Sequence, residues 1–76
     1  MEETNGYVII EIQTSADGTI ANLIYTESSK NKALSVFYEK CGYAALSTVC
    51  VHTVCIIDIR GNKVAEPVTF EHGGAS

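Results

Sequence analysis

Tyr7-Val8-Ile9-Ile10-Glu11-Ile12-Gln13-Thr14, then Ser15-Ala16-Asp17-Gly18, then Thr19-Ile20-Ala21-Asn22-Leu23-Ile24-Tyr25-Thr26, is the stretch that decides the fold. Two runs rich in β-branched residues flank an Asp-Gly pair, the strongest short hairpin signal a sequence carries. A loop of two or of four residues pairs Val8, Ile10 and Ile12 with Ala21, Leu23 and Tyr25 on one face, which is the expected core face. The other face then holds Ile9, Glu11, Gln13, Ile20, Asn22 and Ile24, a mixed set whose isoleucines call for a cover.

Downstream the period changes. Ser28 and Ser29 are N-cap candidates, and Leu34, Phe37, Tyr38, Cys41 and Ala45 fall on one stripe of a helix running to about Leu46. Gly42, beside Cys41, Ala44 and Ala45, reads as a site of close helix-sheet packing, and Tyr25 and Tyr38 read as core. Thr48 to Arg60 returns to strand character, Gly61-Asn62 matches a two-residue turn, and Lys63 to Phe70 runs back. That pairing sets Val49, Val51, Cys55, Ile57 and Ile59 beside Val64, Val68 and Phe70, with Cys50, His52, Val54 and Ile56 opposite. Pro67 has no amide hydrogen, so the fourth strand belongs at an edge or bulges there.

The expected fold is therefore α+β: ββαββ, a four-stranded antiparallel sheet with one helix on one face. Residues 7–70 form its single domain, with a flexible N-terminus at 1–6 and a flexible tail at 71–76. One helix covers only one sheet face, yet Ile9, Ile20, Ile24, Val54 and Ile56, with His52, are read onto the other. A sheet-on-sheet homodimer through these six residues is the simplest closed solution. An edge-to-edge sheet is the other arrangement, and a higher oligomer fits the same reading.

A chain of 76 residues has room for one core, and 46% hydrophobic against 18% charged residues is the composition of a folded protein. The formal net charge of -4 repels phosphate backbones, so nucleic acid is not an expected partner. Met1 to Gly6 is acidic and has no secretory pattern, and no apolar run reaches the ~20 residues of a membrane span. Cytoplasmic localisation is expected, with Cys41, Cys50 and Cys55 as free thiols.

No catalytic constellation, cofactor motif or metal site is expected. In Cys50-Val51-His52-Thr53-Val54-Cys55, strand alternation puts Cys50 and His52 on one face and turns Cys55 away, a poor chelate for zinc. A Cys50–His52 nucleophilic pair lacks a loop or helix terminus to lower the thiol pKa. Val36, Lys40 and Tyr43 share a helix flank and are the candidate contact for an outside partner.

The segments V-I-I-E-I-Q-T-S-A-D-G-T at 8–19 and L-S-T-V-C-V-H at 46–52, with a tyrosine-containing helix between them, resemble small uncharacterised proteins carried by phages and integrated mobile elements of anaerobic Firmicutes. Those proteins have a more uniformly alanine-rich helix end than Cys41-Gly42-Tyr43. The resemblance implies a protein-binding inhibitor of a host system, anti-phage defence included, or an accessory component of phage assembly. Sequestering a small nucleotide would draw on Lys30, Lys32, Lys40, Arg60 and Lys63 and ranks lower.

Overall fold

The computed structural model describes residues 6–72. Strands β1 (Tyr7–Thr14) and β2 (Ile20–Glu27) precede helix α1 (Lys30–Leu46), followed by β3 (Val51–Asp58) and β4 (Val68–Glu71). They form one four-stranded antiparallel sheet in the order β2-β1-β3-β4, with α1 on one face, so the ββαββ architecture is as expected. Pro67 directly precedes β4, and β4 is an edge strand.

Register departs from expectation, and the loops are the reason. In the first hairpin the Ser15 N–H donates to the Thr19 carbonyl at 2.8 Å and the Gly18 N–H to the Ser15 carbonyl at 2.9 Å, with Gly18 at φ 90. This is a type I turn closed by a left-handed glycine, leaving a loop of odd length, Ala16-Asp17-Gly18. An odd loop changes the parity of pairing relative to one of two or four residues. Ile9 therefore lies opposite Tyr25, Glu11 opposite Leu23 and Ile10 opposite Ile24. The second hairpin repeats the device: the Asp58 N–H donates to the Asn62 carbonyl, the Gly61 N–H donates to the Asp58 carbonyl, and Gly61 has φ 86. Gly61 thus ends a loop, Ile59-Arg60-Gly61, rather than opening a two-residue turn.

Beyond that turn Ile57 bridges Lys63 while Val54 pairs with Val68, so the returning chain carries two extra residues as it passes Pro67. Parity is preserved. Phe70 and Val68 consequently share a face with His52 and Val54.

The helix covers the face of Ile9, Glu11, Tyr25, His52, Val54 and Ile56, not that of Val8, Ile10 and Ile12. Ile9, Val54 and Ile56 join Ala33, Phe37 and Ala44 in the buried core, each large side chain contributing roughly 1.5–3 kcal/mol. β2 and β3 run parallel with β1 between them, so α1 is a crossover connection, and the hand of such connections is almost always the same. Chain geometry therefore bears on which of two apolar faces receives the helix.

Along α1 the buried stripe is Ala33, Phe37 and Ala44, flanked by Leu34, Val36 and Cys41, and not the stripe expected through Tyr38 and Ala45, which are exposed. Ser29 caps the helix as expected, its Oγ accepting from the Lys32 N–H at 3.4 Å. Small residues do allow close approach, but they are Ala33 and Ala44. A Cβ on Gly42 would meet nothing within 4 Å, so that glycine has no packing role. At the C-terminal end the Ala44 carbonyl accepts from the Ser47 N–H at 3.2 Å and lies 2.9 Å from His72 Nε2.

The expected termini shift accordingly. Gly6 accepts from the Ile59 N–H, Glu71 closes β4, and the His72 N–H donates to the Cys50 carbonyl. Residues 1–5 and 73–76 of those segments lie outside the described residues.

Candidate functional site

The six residues expected to form a self-association face divide between the two sides of the sheet. Ile9, Val54, Ile56 and His52 lie beneath α1, whereas Ile20 and Ile24 are each 63% exposed on the open face. The parity change accounts for this: Ile20 and Ile24 share their face with Thr14 and Ile10, not with Ile9.

Glu11 and His52, expected on the face away from the helix with Ile9, Val54 and Ile56, lie beneath α1 instead, where a carboxylate or an imidazole costs free energy to bury alone. They are buried together, at 5% and 3% exposure. The Glu11 carboxylate accepts the Tyr25 hydroxyl at Oε2 and lies at Oε1 against His52 Nε2, both at 2.8 Å. A carboxylate accepts only, so in this pairing Nε2 carries the proton. His52 Nδ1 is buried with no hydrogen-bond partner among the described residues. The hydrogen bond to Glu11, with burial, pushes the Tyr25 phenol above its ordinary 10.0. The sequence signal for this network was present in the even offset of Glu11 from Ile9 and of His52 from Val54, which ties both polar residues to the core face once those apolar neighbours are placed there.

Lys40 stands over Tyr25, its Nζ 4.5 Å from the ring centroid and 5.3 Å from that of Tyr43. The expected contact flank is thus partly assembled: Lys40 and Tyr43 meet, the Tyr43 hydroxyl donates to Glu39 at 3.3 Å, and Val36 packs on the core. This flank lies on the β2 side of the helix, where it joins the sheet edge.

The open face is the larger feature. β1 presents Val8, Ile10, Ile12 and Thr14; β2 presents Ile20, Asn22, Ile24 and Thr26; β3 presents Val51, Thr53, Cys55 and Ile57. Charge enters on the β4 side, with Glu71 opposite Val51 and Lys63, ion-paired with Glu66, opposite Ile57, and Thr53 and Thr69 join side chains across the β3–β4 pair at 3.0 Å. Cys55 points to this face, away from His52, as strand alternation requires. Burial pushes its thiol upward, and that of Cys41 likewise, which disfavours the thiolate. Among the described residues no three His, Cys, Asp or Glu side chains are arranged to hold a metal ion. No helix among them is long and apolar enough to cross a membrane. A shallow concavity lined by Gly6, Tyr7, Thr26, Glu27 and Ile59 lies at the end of the sheet.

No family model, no curated protein and no solved structure matches the chain.

Proposed function

We propose that this chain is a non-enzymatic binding protein that works as a homodimer, two copies packing open sheet face on open sheet face. The observation that carries the reading is the uncharged face of Val8, Ile10, Ile12, Ile20, Ile24, Cys55 and Ile57, left bare by the only helix among the described residues. Contiguous apolar surface of this kind generally marks an interface. Three strands of eight residues and one of four cover about 450 Å² per copy. Two copies would bury about 900 Å² in total, close to the ~1,000 Å² at which specific interfaces begin. The net charge of -4 opposes self-association in general, but β1, β2 and β3 present no charged side chain on this face, their Glu11, Glu27 and Asp58 lying on the helix side.

Light scattering coupled to size-exclusion chromatography tests this, with Ile10→Lys at the centre of the face as the variant. The wild type should run at two copies or more and Ile10→Lys should lose the face contact. A wild-type monomer at micromolar concentration would overturn the reading.

For an outside partner we extend the resemblance of 8–19 and 46–52 to mobile-element proteins: the target is a host protein, occluded through the Lys40–Tyr43 flank, which the stacked sheets leave free. A pull-down from host lysate with wild type and Tyr43→Ala checks it. One stoichiometric host protein lost in the variant supports inhibition. Virion proteins alone would favour the assembly role, and a nucleotide released on denaturation would favour sequestration.

A further inference from the structure

The two edges of the sheet are not alike. β4 is short, follows Pro67 and departs from register by two residues, all features that blunt an edge against further pairing. β2 is eight residues long and carries no proline, no bulge and no charge from Ile20 to Thr26. On the helix side its Leu23 is 44% exposed, beyond the reach of α1, and on the open face Ile20 and Ile24 are exposed as well.

Hydrogen bonding in antiparallel pairs alternates along the strand, which fixes which main-chain groups of β2 are free. The Ser15 N–H donates to the Thr19 carbonyl, so Ala21, Leu23, Tyr25 and Glu27 direct their amides and carbonyls at β1. Ile20, Asn22, Ile24 and Thr26 direct theirs outward. The same alternation carried across the sheet turns the even-numbered groups of β3 toward the β4 side. The Val64 N–H bonded to the Ile56 carbonyl and the His72 N–H bonded to the Cys50 carbonyl agree with it.

We propose that β2 pairs antiparallel with β2 of a second copy about a two-fold axis at Leu23, extending the sheet across both copies. This contact is distinct from the face-to-face contact proposed above and does not depend on it. A register centred on Leu23 sets Ile20 opposite Thr26 of the second copy and Asn22 opposite its Ile24, so all four outward-facing residues pair, with about eight main-chain hydrogen bonds. Registers centred on Asn22 or Ile24 leave part of the strand unpaired. Leu23 meets its own counterpart over the axis, covering the leucine that α1 leaves bare. Glu27 falls opposite Thr19 of the second copy, so no like charges oppose one another. Because the axis stands perpendicular to the sheet, both helices lie on one side and the two open faces become continuous. The two contacts together make a four-copy assembly of two extended sheets stacked face to face.

Amide hydrogen exchange by NMR on the full chain reads the edge directly. In an unpaired β2 the amides of Ile20, Asn22, Ile24 and Thr26 exchange freely while Ala21, Leu23 and Tyr25 are protected. Edge pairing should bring the outward four to within about tenfold of the inward three. Asn22→Pro removes an outward N–H that β1 does not use, and Leu23→Lys sets like charges across the axis. Each should lower the solution mass to half and free the outward amides. Leu23→Lys alters a partly exposed side chain, so it keeps the test valid if the proline variant fails to fold. Free exchange of the four amides in the wild type overturns the edge contact whatever the mass. Protected amides with a mass unmoved by Ile10→Lys overturn the face contact and leave the edge standing.

Discussion

Glu11 holds two partners at once, and the cost of removing it depends on whether they leave with it. Glu11→Ala strands the Tyr25 hydroxyl and the buried His52 Nε2, at about 3–5 kcal/mol, a large share of the stability of a domain this small. Replacing Glu11 by Met and His52 by Leu together, in Tyr25→Phe, removes both the charge and its partners. That triple variant should be less destabilised than the sum of its single changes, as urea unfolding would show. Tyr25→Phe alone should cost about 1–2 kcal/mol. Because the Tyr25 phenol is held above its ordinary 10.0, its contribution is complete below that pH and is lost as pH rises through the folded value. An alkaline absorbance titration of wild type should therefore show a late phenol ionisation that is absent from Tyr25→Phe. The aspartates behave in the opposite sense. Asp17 accepts from the Thr19 N–H, and Asp58 from the N–H of Asn62 and, more weakly, of Arg60, which hold both carboxyls below the ordinary 3.8. Their contribution is present above that pH and fades as pH falls through the lowered values. Thermal melts in acid should accordingly be flatter in pH for Asp17→Asn/Asp58→Asn than for wild type.

At the scale of elements, strands, helix and turn positions were legible because periodicity and turn residues are local signals. α1 begins at Lys30 and ends at Leu46 where the sequence placed it. Pairing parity was not legible, because it rests on a loop count that Asp17-Gly18 and Gly61-Asn62 leave open. With parity open, sequence pattern puts Ile9, Val54, Ile56 and His52 on the open face and Val8, Ile10 and Ile12 in the core, the reverse of the structure. The division of residues within β1 and within β3 into two sets is the same in both, since alternation along a strand needs no partner. The helix stripe slipped by about one position because Tyr38 and Ala45 are apolar yet exposed, while Ala33 is small and fully buried. Gly42 lies inside α1 with open space where its Cβ would stand. Gly42→Ala should stabilise the domain by about 0.5–1 kcal/mol, seen as a rise of a few degrees in Tm.

The whole molecule has an apolar face on each side of its sheet and one helix to cover them. Cys55, beside Ile10 on the open face, reports whether that face is covered. In a dilution series followed by intact and peptide mass spectrometry, alkylation of Cys55 should slow as protein concentration rises, while Cys41 on α1 labels at a constant rate. Equal concentration independence at both thiols would count against the face contact. The pair of loops also constrains how this chain can change over generations. Surface loops ordinarily accept single insertions and deletions more readily than any other part of a protein. Here the loop between β1 and β2 acts as a reading frame for the hairpin: losing Ala16 while both strands stay paired would invert one strand relative to the other, exposing Tyr25 or burying Ile24. Descendants of this chain should therefore vary the identities of Ala16 and Asp17 freely while keeping the residue count of the loop or altering it in steps of two.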